Sequence, residues 1–163
     1  MIYNMRRAFK IGFSFGLPSG IVTTLGLMVG LNSITQSRLV VIGGILTIAL
    51  ADSFSDAMGI HFSQEADKNL KHSDVWKSTL FILLSKFIFS SMFIIPVLFL
   101  QLSKAVLISI AIGLFSIFFI SLLIARLRND NPLKYITEHL IITIFVIVIT
   151  HYFGIIISNT FVT

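Results

Sequence analysis

Charged residues gather in short clusters along this chain, and between the clusters almost every position is apolar. Ile11–Ser37, Ala105–Ala125 and His139–Thr163 hold no charged residue; Leu39–Phe62 is interrupted only by Asp52 and Asp56, and Ser78–Ser103 only by Lys86. A bilayer-crossing helix needs about 20 mostly apolar residues, so the pattern predicts five spans, roughly 11–31, 38–62, 78–101, 105–125 and 136–158. Backbone groups inside hydrocarbon must bond within their own segment, which makes the expected fold class an all-α integral membrane protein. The first run is too long and too glycine-rich for a cleaved signal peptide and reads as a retained helix. Asn32–Ser37 and Leu102–Lys104 are tight connections, so spans 1 and 2, and spans 3 and 4, are expected to be antiparallel neighbours. The longest connection, 63–77, reads as amphipathic surface, and the whole chain, 1–163, reads as one transmembrane domain.

Composition supports the same reading. The chain has 163 residues, of which 56% are hydrophobic and 12% charged, against about 25% charged in soluble domains. So little charge cannot solubilise so much apolar surface. A soluble enzyme, a disordered chain, a fibrous repeat and a nucleic-acid module are all poor fits. There is no cysteine, hence no disulfide and no thiolate site. The net charge of +5 is mostly a topology signal. Arg6, Arg7, Lys10, Lys68, Lys71, Lys77, Arg126, Arg128 and Lys134 fall on one side of the expected membrane, and only Arg38 and Lys104 on the other. The positive-inside rule then places the N-terminus in the cytoplasm and the C-terminus outside. The lipid bilayer, with its anionic headgroups, is the expected contact of these cations, and no nucleic-acid partner is expected.

Ionisable groups at membrane depth are costly, and their default reading is functional. Asp52 and Asp56 are spaced i and i+4, on one helix face. Gly59 continues that face, while Met58, His61 and Glu65 form a second one. Two ionised carboxylates one turn apart in a low dielectric need a shared proton, a cation or a basic neighbour. A hard or borderline divalent cation satisfies both with oxygen ligands. The plainer reading is a carboxylate capping backbone amides or paired with a lysine. In span 1, Gly12, Gly16, Ser19, Gly20, Thr23, Gly26 and Gly30 recur at three- or four-residue steps, which suits close helix packing. Pro18 removes a backbone hydrogen bond and is expected to kink that helix near Ser14. A packing face and an ion path both fit this pattern.

Depth connects the spans. At about 1.5 Å per residue, Ser19 lies roughly 12 Å from the cytoplasmic end, Asp56 roughly 9 Å, Asp52 roughly 15 Å and Lys86 roughly 12 Å. Four polar side chains from three helices are therefore expected in one layer. Snorkelling to the headgroups is the ordinary fate of a lysine such as Lys86. Turned inward, it would pair with an aspartate that a cation must take from it. His61, Glu65 and His139 are peripheral candidates near the cytoplasmic ends, and His151 reads as a packing residue. No Ser/His/Asp order, phosphate-binding loop or HExxH pattern stands out, so an enzyme is not expected.

Two of these segments resemble the vacuolar iron transporter family of five-span metal transporters. Gly20 to Gly30 (GIVTTLGLMVG) looks like the family's span 1 motif, and Ala51 to Gly59 (ADSFSDAMG) is similar to its span 2 pattern. Pro96, the Arg126–Pro132 stretch and Gly154 fit the rest more loosely. The resemblance implies a homodimer with its pathway between two copies of span 1. It also implies export of ferrous iron, sometimes manganese, from the cytosol in exchange for protons. Ser19 stands at the family's span 1 aspartate position, Asp56 at the span 2 methionine and Ile60 at the glutamate after the glycine, so the carboxylate has changed helices. Loss of the thioether there weakens preference for iron. The family's long cytoplasmic metal-binding insertion is absent.

The first expectation is accordingly a homodimeric iron or manganese exporter working by proton antiport. Asp52, Asp56 and Ser19 would be its metal ligands. Thr23, Pro18, Gly20, Lys86, Met58 and Gly59 would lie along the pathway or coupling route. No permanently bound cofactor is expected, since Fe²⁺ or Mn²⁺ would be the transported substrate, and the plasma membrane of a prokaryote is the expected location. The alternatives are a non-transporting membrane scaffold that retains the fold and a transporter for a small organic cation. Lys86 discriminates: an inward ammonium salt-bridged to Asp56 favours the scaffold, and an outward one leaves the acidic pair open.

Overall fold

The computed structural model describes the backbone of Ile2–Phe161 and the side chains of Lys10–Phe161. Six helices follow in order: α1 (Ile2–Thr35), α2 (Arg38–Glu65), α3 (His72–Ser91), α4 (Ile94–Phe99), α5 (Leu102–Arg128) and α6 (Pro132–Phe161). No strand occurs among the described residues. Five stretches, Lys10–Thr35, Arg38–Glu65, His72–Phe99, Leu102–Arg128 and Pro132–Phe161, are long and apolar enough to cross a bilayer, the architecture of a multi-pass membrane protein.

The helices run past the apolar cores that reveal them. α2 continues to Glu65 and α3 begins at His72, so the long connection narrows to Ala66–Lys71. Glutamate, glutamine and lysine are good helix formers. Asp74 in the first turn of α3 suits the positive end of the helix dipole and pairs with Lys77 at 3.0 Å. The third crossing is not one unbroken helix. Pro96 has no N–H to give to Met92, whose carbonyl takes the Ile95 amide instead at 3.2 Å, and the chain turns at Met92 and Phe93 between α3 and α4. α1 and α5 each end on a left-handed residue, Gln36 (φ 49°) and Asn129 (φ 55°).

α1 is the central helix. Ile21, Leu25 and Met28 are fully enclosed, and α2, α3, α5 and α6 all pack against it. Its glycines explain how the neighbours come so close. A Cβ on Gly12 would stand 2.7 Å from the Phe81 carbonyl carbon, and one on Gly20 would stand 3.0 Å from the Lys86 oxygen. Ser85 Oγ donates to the Gly12 carbonyl at 2.8 Å and Ser90 Oγ to the Gly20 carbonyl at 3.3 Å, which stitches α3 to α1. Farther along, a Cβ on Gly154 of α6 would meet the Gly30 oxygen at 2.7 Å. The span 1 glycine face is therefore used for packing within one chain. The outward faces of α2, α5 and α6 carry exposed Leu, Ile and Phe, as lipid contact requires. Arg38 Nη2 donates to the Leu100 carbonyl at 2.7 Å, which ties the α1–α2 and α4–α5 connections together at one end of the bundle.

Candidate functional site

Three helices meet at Lys86. Its side chain is 1% exposed, with Nζ 2.6 Å from Asp52 Oδ2 and in closer contact still with Asp56 Oδ2. Ser19 Oγ donates to that same Asp56 oxygen at 2.8 Å. The local cause is the α1–α3 seam. With no side chain on Gly20, the lysine stem fits against α1, where a Cβ would lie 3.3 Å from Lys86 Cγ. Snorkelling, the ordinary fate expected for Lys86, does not occur: the stem is enclosed and two carboxylates lie within reach of its tip.

One ammonium faces two carboxylates, so the fully ionised cluster keeps a net negative charge. Asp52 Oδ2 is buried, and the Lys86 ammonium at 2.6 Å is the cation that faces it. Asp52 and Asp56 keep 26% and 24% of their side-chain surface open. Asp52 also lines a groove beside α1.

Two cavities flank α1 near this layer. A groove of about 670 Å³ between α1 and α2 includes Thr23, Leu31, Gly44, Thr47, Asp52 and Ser55 in its lining. A second cavity of about 330 Å³, between α1, α5 and α6, has Ser14, Ser19, Thr23, Ser121, His139 and Thr143 among mainly isoleucine walls. Pro18 also lines it, within a helix that continues past the proline. Thr23 lines both cavities and donates its hydroxyl hydrogen to the Ser19 carbonyl at 2.9 Å.

The other expected residues lie elsewhere. Met58 is 38% exposed, and Gly59 has open space where a side chain would be. Neither faces the Lys86 cluster. His61 is buried, with Nδ1 2.8 Å from Thr79 Oγ1. Thr79 gives its own hydrogen to the Val75 carbonyl, so the ring nitrogen must be the donor, which turns Nε2 toward Glu65 Oε1 at 3.6 Å. His72 Nδ1 reaches the same Glu65 oxygen at 3.3 Å, and Trp76 donates to His72 Nε2 at 3.0 Å. This cluster closes the α2–α3 connection. No group of three His, Cys, Asp or Glu among the described residues is arranged to hold a metal ion. His151 pairs with Ser33 at 2.7 Å.

Ser121, Thr143 and His139 form a polar strip that sequence reasoning assigned no role beyond naming His139. Ser121 donates to the Ile117 carbonyl at 2.6 Å and accepts from His139 Nδ1 at 2.8 Å. The available signal was small hydroxyls in otherwise bulky apolar runs. Comparison of the chain with protein-family models, with curated proteins and with solved structures finds no match.

Proposed function

We propose that the chain is a membrane cation carrier in which a divalent metal, iron or manganese, takes the place of the Lys86 ammonium between Asp52 and Asp56. The carrying observation is that two carboxylates at membrane depth share a single ammonium. A permanent structural pair needs one aspartate; the second adds a charge whose cost in hydrocarbon calls for another use. A divalent ion balances both carboxylates, with Ser19 Oγ and span 1 carbonyls as further oxygen ligands. Lys86 serves as the counter-ion of the empty carrier. Protonation of a carboxylate as the metal leaves would couple export to proton movement.

The resemblance of Gly20–Gly30 and Ala51–Gly59 to the vacuolar iron transporter family supplies the cargo and the direction, out of the cytosol. The basic clusters supply the orientation, N-terminus inside, in the plasma membrane of a prokaryote. The same resemblance supplies the homodimer.

The scaffold reading has its own support, because the inward Lys86 contacts Asp56. The two readings differ in whether Lys86 ever leaves. Proteoliposomes loaded with a pH dye and offered Fe²⁺, Mn²⁺, Co²⁺ and Mg²⁺ separate them. Metal flux that moves protons and disappears in Asp52→Asn or Asp56→Asn is the expected outcome. No flux for any ion, with variants that are merely less stable, would leave the scaffold.

A further inference from the structure

Along α1 the two cavities occupy successive stretches that meet at Thr23, while on α2 the groove continues from Val40 to Ser55, level with the charged cluster. The one between α1, α5 and α6 runs along α1 from Ser14 to Thr23, about 13 Å toward the middle from the end that carries Lys10. The groove between α1 and α2 runs from Thr23 to Leu31, about 12 Å toward the end that carries Arg38. They overlap at Thr23 alone. On the first side the polar group nearest the charged cluster is Ser19, which holds Asp56; on the second it is Asp52 itself.

We infer that these cavities are the two halves of one cation route, offset across α1, meeting at Thr23 beside the Asp52, Asp56 and Lys86 cluster. The inference rests on reading that cluster as a cation site. A cation from the Lys10 end would pass the hydroxyl strip of Ser14, Ser121 and Thr143 and meet Asp56 beside Ser19. It would leave past Ser55, Asp52 and Thr47 in turn toward the Arg38 end. Neither half extends through both ends, so passage requires the cation to change sides of α1 at the cluster. The side-change falls at Ser19–Thr23, just past Pro18, whose missing N–H removes the helix hydrogen bond to the Ser14 carbonyl one turn earlier. This route lies within a single chain rather than between two copies of span 1.

The absence of cysteine makes a direct test available, since any introduced thiol reports alone. Full-length Ser121→Cys and Thr143→Cys sample the first half, Thr47→Cys and Ser55→Cys the second, and Phe145→Cys the lipid-facing surface. Asn131→Cys and Ser103→Cys mark the two ends of the bundle. Each protein is reconstituted in vesicles and exposed to a membrane-impermeant cationic methanethiosulfonate from one side at a time.

Positions 121 and 143 are expected to label at least tenfold faster from the side that labels 131, and positions 47 and 55 from the side that labels 103. Position 145 is expected to label from neither. All four cavity positions labelling from one side would overturn the offset route. So would labelling of none by the aqueous reagent, the result for lipid-filled grooves. Sided labelling in a protein that carries no metal would uphold the route and remove the metal cargo. Metal flux with unsided labelling would do the reverse.

Discussion

α2 carries two acid–base clusters, and they are held in opposite ways. In the deep one, Asp52 and Asp56 converge on a lysine whose side chain is 1% exposed. In the one at the helix end, Glu65 is 41% and His72 70% exposed, with water free to replace either partner. Coulomb energy scales inversely with the local dielectric, so equal distances mean very different energies in the two places. Losing a partner near the surface is repaired by solvent; losing one at depth strands a charge. The deep cluster is thus both the stronger candidate for function and the more vulnerable.

The widest separation between the two comes from removing Lys86. Lys86→Met leaves two carboxylates with no cation and is expected to cost about 3–5 kcal/mol, read from unfolding in detergent. Adding Asp52→Asn and Asp56→Asn should recover most of that loss; failure to recover would show that the lysine matters for packing alone. Next come the glycines that bring α3 to α1. A Cβ on Gly16 would meet Ser85 Oγ and stand 3.0 Å from the Ile82 carbonyl, so Gly16→Ala should cost about 1–3 kcal/mol. Gly59, with open space around it, provides the control: Gly59→Ala should be neutral or up to about 1 kcal/mol stabilising. The smallest effect belongs to the helix-end cluster, where Glu65→Gln should shift stability by less than about 1 kcal/mol.

Much of this arrangement was legible in the sequence. Apolar runs mark the five crossings, and the four-residue spacing of the aspartates with a rise per residue places Ser19, Asp52, Asp56 and Lys86 in one layer. What a one-dimensional pattern lacks is rotation. It cannot tell that Lys86 turns toward α2, because that depends on the room Gly20 leaves for its stem. For the same reason the span 1 glycines fit a packing face and an ion path equally well in sequence, whereas Gly12, Gly16 and Gly20 meet α3 and Gly30 meets α6. Met58 shares a helix and a motif with the aspartates but lies on a more open face. The break before Pro96 had a visible cause, yet an apolar run through proline reads as continuous. His61 looked peripheral because its partner Thr79 is on another helix.

Displacement of Lys86 by a cation has a consequence that no purely structural role shares: removing the competitor should tighten cation binding. Calorimetric titration of Mn²⁺ into the purified wild type and Lys86→Met proteins tests this directly. The expected result is at least tenfold tighter binding in the variant, about 1.4 kcal/mol, abolished when Asp52→Asn and Asp56→Asn are added. Absence of Mn²⁺ binding in both proteins, or equal affinity in the two, would contradict a carrier in which metal and ammonium compete for the same pair of carboxylates.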